Sequence, residues 1–460
     1  MKRILLIPSI NIANGKIVPY LPLGLLSLQS ATLNYKMVDI FIFHDDLLNK
    51  RCIDSDDLIE NIIHKIDFKT YDTIGLSAVC NSFHHTLYLS KRIKEIDDEI
   101  GIWLGGPHVF PIAEDILKNF EQIDAVFIGE AEQSFLEAVN RRATGLYDLT
   151  NIPGVLIRNS RPSKRDLIAD LDDLPYLHEN DAFYNIFNSL YKNNFTKSIP
   201  IDASRGCFGR CKYCSTRLFW DNIIRRKSNA RLLSEMNHYH EKTNLSLFEF
   251  VGDNFSSPRR LFIDFCRHMI NTNHSFKWGC SIRISDIKID DLKILHEAGC
   301  KGVFIGLESA SQITLNKLNK NINLKQGLKI IEEALKMDFE IVTSFIVGFP
   351  WESDEDINNT FKLHCSLLEM GVKTSQIHAL GPLPGTELLK HHSVHYDRDV
   401  SDVSLDDIHL NDYSKFIIKR YPELFVHLGH YDSPNLDRSN VASIVATSFQ
   451  LNYIYEIARL

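Results

Sequence analysis

No run of apolar residues in this chain approaches the roughly 18 needed to span a bilayer as a helix, so a membrane-spanning protein is not expected. Positive charge is also scarce: 51 Lys and Arg stand against 59 Asp and Glu, a net charge of −8. That balance gives no support for an electrostatic nucleic-acid binder, and the short cluster Arg225-Arg226-Lys227 does not change it. A secretion signal is missing too, because the apolar start is stopped at Pro8 and reads as a first strand. The nine cysteines are an odd number. A disulfide framework is therefore not expected, and a reducing cytoplasm is the expected address. Six of them (Cys52, Cys80, Cys266, Cys280, Cys300, Cys365) are scattered without C-x2-C pairs, which argues against an auxiliary metal cluster. Cys266, Cys300 and Cys365 fall in helical patterns, and Cys280 reads as core filler in a strand. What remains is ordinary: 460 residues, 44% hydrophobic and 24% charged, suit a globular protein of about two to three domains.

Three cysteines are not scattered. Cys207, Cys211 and Cys214 lie in Ser204-Arg205-Gly206-Cys207-Phe208-Gly209-Arg210-Cys211-Lys212-Tyr213-Cys214, spaced C-x3-C-x2-C, directly after the short strand Ile-Pro-Ile-Asp-Ala. Soft thiolates suit zinc or an iron–sulfur cluster, and both ordinarily take four protein ligands. With no fourth cysteine nearby, one metal corner is left open to a small molecule; a zinc knuckle short of a ligand is the alternative. Gly206 and Gly209 suit a backbone that wraps closely around a cluster. The stretch resembles the radical SAM signature C-x3-C-x-aromatic-C, with Tyr213 in the aromatic position. The resemblance implies a [4Fe–4S] cluster on Cys207, Cys211 and Cys214 whose fourth iron chelates S-adenosylmethionine (SAM), and reductive cleavage to a 5′-deoxyadenosyl radical.

Residues 1–145 alternate apolar runs at 4–7, 38–43, 73–79, 101–105 and 125–128 with helical patterns at 23–33, 86–94 and 132–142. This rhythm predicts an α/β, doubly wound, Rossmann-like parallel sheet, which takes ligands at the carboxyl ends of its strands. The segments Leu23-Gly24, Ser77-Ala78 with Asn81, Gly105-Gly106 with His108, and Gly129-Glu130 belong to loops of that kind. Together they resemble the cobalamin (B12)-binding domain that precedes the barrel in one branch of the radical SAM family. The resemblance implies that these residues hold the corrin ring and nucleotide tail. The D-x-H-x-x-G motif that supplies a histidine to cobalt in many cobalamin domains is absent, since His44 sits in Phe-His-Asp-Asp. Members of this branch often hold cobalt without a protein ligand. A Rossmann-like domain that holds nothing is the alternative. His108, after the double glycine, reads as the better exposed histidine, with packing within its loop at least as expected as ligand contact.

Residues 146–196 read as a linker, with a strand at 155–157, a polar stop at 170–175 and an aromatic-rich packing segment at 178–197. From 197 to 388 the β/α rhythm resumes, with strands at 247–251, 278–283, 302–309 and 341–347 and a last one running into 379. With the strand before the cysteine loop, these match the partial (β/α)6 barrel of the radical SAM fold. Polar residues sit where such strands end, the place where barrel sites are built. By the resemblance, Tyr213 and the Gly252-Asp253 region would meet the methionine part of SAM. Glu308 and Ser309 would meet the methionine or ribose, and Val347, Gly348 and Glu352 the adenine and ribose. Arg283 would pair with the methionine carboxylate or with a structural acid. Capping of the next helix is the alternative use of Glu308 and Glu352. Residues 389–460, with a polar stretch at 396–406 and helices near 413–419 and 441–458, read as a small helical C-terminal domain that closes the barrel and selects the substrate. His391, His392, His427 and His430 lack metal-ligand spacing.

The sequence thus predicts an enzyme: a cobalamin-dependent radical SAM protein that C-methylates an unactivated carbon in a natural-product or peptide substrate. Its reductant would be a flavodoxin or ferredoxin. Radical chemistry without methyl transfer (cyclisation, rearrangement or oxidation, with a structural N-terminal domain) is the competing reading. Methylthiolation of tRNA fits less well, because an N-terminal second cluster and a basic tail are missing. A cluster-bearing sensor is the non-enzyme alternative.

Overall fold

The computed structural model describes residues 3–396 and 408–458. They form two compact units, Met1–Lys197 with Tyr396–Gly429, and Ser198–His395 with His430–Leu460. Among the described residues no helix is long and apolar enough to cross a membrane.

The first unit is built on β1 (Arg3–Ile7), β2 (Val38–Ile40), β3 (Tyr71–Ser77), β4 (Gly101–Gly105), β5 (Ala125–Phe127) and β6 (Val155–Ile157). Their order is β2-β1-β3-β4-β5-β6. The first five are parallel and joined by helical crossovers, so most of their residues are apolar and buried, Ile74, Ile102 and Leu104 among them. The chain runs outward from β1 to β2 and then returns to place β3 on the other side of β1. This reversal is the switch point at which doubly wound sheets open a crevice.

Two expectations about segment boundaries change here. The stretch 146–196 is not a free linker: β6 pairs antiparallel with β5, Ala125 opposite Ile157. Helix Asp181–Lys192 buries Phe183, Ile186, Phe187 and Leu190 within the same unit. Residues 389–460 do not form one helical body either. Helix Asp412–Arg420 is too short to enclose a core of its own, and Ile417, Ile418, Leu424 and Phe425 join the apolar core of the first unit. The polar stretch expected at 396–406 lies, from 397 on, outside the described residues.

The second unit contains β7 (Ile199–Asp202), β8 (Leu247–Val251), β9 (Lys277–Ile282), β10 (Cys300–Glu308), β11 (Glu340–Val347) and β12 (Thr374–Ala379). All six are parallel and lie in chain order, with β7 and β12 as the two edges of an open barrel sheet. On β8 the pattern alternates: Phe248 and Phe250 are buried, while Leu247, Glu249 and Val251 are exposed. Phe250 packs among Phe255, Phe265 and Trp278 at ring separations of 4.9, 5.2 and 5.5 Å. Cys266 and Cys280 are buried near this aromatic layer as core filler, and burial pushes both thiols upward. Cys300 opens β10 rather than lying in a helix.

The exposed edge of β12 is closed by helix Arg438–Ala458. Asn452 Oδ1 accepts the Ser375 N–H at 2.8 Å, and its Nδ2 donates to the Ser375 carbonyl. One side-chain amide thus stands in for the next strand.

Candidate active site

The cysteine loop leaves β7 through a short ribbon in which Ser204 opposes Arg226 and Arg205 opposes Arg225. Gly206 has φ +99°, and a side chain there would fall on the Ile223 carbonyl, so only glycine fits this bend. Its N–H donates to Asp253 at 2.8 Å, and the Thr216 hydroxyl donates to the same carboxylate at 3.2 Å. Asp253 therefore ties the end of β8 to the loop that follows β7. The three cysteines are free thiols, Cys211 buried and Cys207 and Cys214 half-buried. Burial pushes the Cys207 and Cys214 thiols up, and Arg283 opposes this at Cys207. Thiols of this kind are deprotonated by the metal they bind. Among the described residues no three His, Cys, Asp or Glu side chains converge as ligands of one ion would. Three soft thiolates on one loop suit a [4Fe–4S] cluster, in which each thiolate binds a different iron.

The strand ends frame this loop. Arg283, after β9, has Nη1 3.9 Å from Cys211 Sγ and donates from Nη2 to the Lys320 carbonyl. Glu308 ends β10 at φ +67°, a conformation that costs a non-glycine residue about 1–3 kcal/mol and turns its carboxylate inward. There it accepts from Lys320 Nζ at 2.5 Å and from the Tyr213 phenol. Burial, reinforced by the Glu308 carboxylate, holds that phenol well above its ordinary range. Glu308 thus does not cap the following helix; Ser311 does. Glu352 is fully buried, and its Oε2 accepts the N–H groups of Gly348 and Phe349 at 2.9 and 3.0 Å. It shapes its own loop, while Ser353 and Asp356 form the capping box of the next helix. Ser309 and Val347 are fully buried, and Gly252 lies against Ser204.

In the first unit the loops at the carboxyl ends of the strands divide into a buried set and an open set. Ala78 is buried and donates its N–H to the Gly105 carbonyl at 2.8 Å. Gly106 crosses it at φ +112°, where a Cβ would lie 2.5 Å from the Ala78 oxygen. Glu130 is buried and accepts the Ile168 N–H at 2.8 Å. Of the two uses expected of His108 the structure has the packing one: it is 5% exposed, edge-on against Phe83, with Nε2 2.9 Å from the Leu424 carbonyl. The segment that covers it lies more than 300 residues away in the chain, beyond the reach of local sequence pattern. Gly24, Asn81, Gly106 and Gly129 remain exposed, with Leu23, Ser77 and Gly105 half-buried beside them. A Cβ at Gly24, in the first turn of the helix Leu23–Ala31, or at Gly129, in the loop after β5, would meet nothing within 4 Å, so both places are free of side chain. A shallow apolar pocket lined by Pro8, Pro19, Tyr20, Pro22, Phe41 and Ile186 opens near the ends of β1 and β2. Bare backbone and an apolar recess suit a broad, flat ring with an appended group.

An open parallel barrel with a three-thiol loop after its first strand, joined to a doubly wound sheet with ligand-ready loops, defines a class of metal-cluster enzyme carrying a cofactor domain. The radical SAM superfamily model matches residues 201–364, and the B12 binding domain model matches residues 23–139. The chain belongs to the radical SAM superfamily, in the branch that carries a B12-binding domain. This membership makes it an enzyme and brings the cofactors with it: a [4Fe–4S] cluster, SAM and cobalamin.

Among known proteins, the uncharacterized methyltransferase PH0819 of Pyrococcus horikoshii is 28% identical over 395 residues, 84% of this chain and 82% of that one. The anaerobic magnesium-protoporphyrin IX monomethyl ester cyclase of Rubrivivax gelatinosus is 27% identical over 67% of this chain and 57% of its own length. The solved structure of the radical SAM methyltransferase TsrM from Kitasatospora setae superposes with a TM-score of 0.69 over 97% of this chain and 91% of that one. At 14% identity that likeness is one of fold.

Proposed function

We propose that the protein is a cobalamin-dependent radical SAM methyltransferase that methylates an unactivated carbon of a natural-product or peptide substrate, fed by a flavodoxin- or ferredoxin-type reductant. The observation that carries this reading is the pairing, in one chain, of a three-thiol loop held by Asp253 with a doubly wound sheet whose ligand end is bare at Gly24, in a helix's first turn, and at Gly129. Bound to these sites, the cluster with SAM supplies a 5′-deoxyadenosyl radical and cobalamin supplies a methyl group. Cys207, Cys211 and Cys214 hold the cluster. Tyr213, Gly252, Asp253, Arg283, Glu308 and the 347–352 loop enclose SAM, with Glu308 as its carboxylate anchor. Leu23, Gly24, Ser77, Asn81, Gly105, Gly106 and Gly129 bear the corrinoid. Ala78, His108 and Glu130 support those loops from below, and the sequence lacks the D-x-H-x-x-G motif.

Similarity to a protein described as a methyltransferase over most of both chains supports this assignment. Similarity to an anaerobic cyclase favours one second reading, radical ring closure without methyl transfer. Anaerobic reconstitution with iron, sulfide and hydroxocobalamin tests the form of that second reading in which the N-terminal domain is structural. Cobalt near one per chain beside about four irons is expected. About four irons with no retained cobalt would sink the methyltransferase and leave the cyclase-type reading.

A further inference from the structure

Residues 318–321 (Leu-Asn-Lys-Asn) form a turn that touches both the cysteine loop and the end of β10. On one side, Lys212 donates its N–H to the Leu318 carbonyl at 3.0 Å, and Asn319 Nδ2 donates to the Arg210 carbonyl at 3.1 Å. Arg283, beside Cys211, donates to the Lys320 carbonyl. On the other side, Lys320 Nζ meets Glu308 Oε1 at 2.5 Å, with both side chains about a tenth exposed or less, at 11% and 8%. The turn itself is tight, with Asn319 and Asn321 at φ +58° and +52°. The ion pair lies over Gly306, where a Cβ would lie against Glu308 Oε1 and 3.1 Å from Lys320 Nζ. Three separate features therefore converge on one carboxylate: strained backbone at Glu308, a missing side chain at Gly306, and a buried ammonium.

We propose that the 318–321 turn is a spacer that fixes the cysteine loop and Glu308 relative to one another, and that Lys320 is the positioning residue that sets SAM against the cluster through Glu308. Lys320 is not a catalytic residue in this account; it acts through the carboxylate it holds. The proposal rests on the radical SAM membership of the chain and not on methyl transfer. Electron transfer and bond cleavage depend on how closely the sulfonium is held to the cluster, and a misplacement of about 1 Å can cost about 100-fold in rate. Removing the ammonium alone leaves Glu308 as an uncompensated buried charge, which must turn or take up a proton.

The test uses reconstituted full-length protein as wild type, Lys320→Met, Lys320→Arg and Gly306→Ala. Iron content, the change that SAM produces in the electron paramagnetic resonance signal of the reduced cluster, SAM affinity and 5′-deoxyadenosine release are each measured. Lys320→Met is expected to keep its iron and its signal, to need about tenfold more SAM to change that signal, and to release 5′-deoxyadenosine about 100-fold more slowly. Lys320→Arg is expected to recover most of this, and Gly306→Ala to move in the same direction with both charges retained. Native SAM affinity and release in Lys320→Met and Gly306→Ala would overturn the proposal. So would iron loss in proportion to activity, which would make the turn a clamp on the loop alone. A wild type that neither binds nor cleaves SAM would instead remove the radical SAM reading itself.

Discussion

Glu352 is folded back beneath its own loop, and its chemistry follows from that position. Burial pushes its carboxyl up to about 7, against the pull of the Gly348 and Phe349 amides. A carboxyl raised in the folded state binds its proton more tightly there than in the unfolded chain. Its contribution is therefore complete below the ordinary value of 4.5 and is lost as pH rises toward about 7. Each tenfold gain in proton affinity is worth about 1.4 kcal/mol. Relative to Glu352→Gln, the native protein should lose thermal stability as pH rises from about 5 to 7; parallel melting curves for the two would contradict this. At this scale the sequence was readable where spacing carries chemistry, as at Cys207, Cys211, Cys214 and Tyr213. It was half-readable at Glu308 and Glu352, whose strand-end positions were legible but whose partners were not. Lys320 was missed because its contact with Glu308 depends on two unusual backbone bends, although the asparagines at 319 and 321 were a usable turn signal.

Among the elements, the parallel strands were legible because burial on both faces, or alternation on one, leaves a pattern in the sequence. For two other elements, the strand at 155–157 and the helix near 413–419, the element was legible and its distant partner was not. β6 has only three residues and gains meaning from pairing with β5, and helix Asp412–Arg420 depends on a core supplied from the first unit. Closure of the β12 edge by Asn452 is equally invisible to local pattern, since one amide bonds both backbone groups of Ser375. Asn452→Ala leaves those groups without their partner, at a cost of about 1–3 kcal/mol. Limited proteolysis of the variant should cut near helix Arg438–Ala458 well before the wild type is cut there. Equal cleavage rates would show that the helix is held by its apolar contacts alone.

For the whole molecule, chain order itself is informative: a B12-binding domain precedes a radical SAM barrel, and each unit brings its own cofactor. The substrate was not legible, because the loops and the C-terminal segment expected to select it match no recurring motif. The central claim, methyl transfer through cobalamin, needs no knowledge of that substrate to be tested. Wild-type protein reconstituted with its cluster and hydroxocobalamin is given a reductant and SAM labelled with a trideuterated methyl group, and the extract is analysed by mass spectrometry. The account predicts both the labelled methyl group on the corrinoid and unlabelled 5′-deoxyadenosine. 5′-Deoxyadenosine with no label on a retained corrinoid would contradict methyl transfer and leave a radical enzyme of another kind.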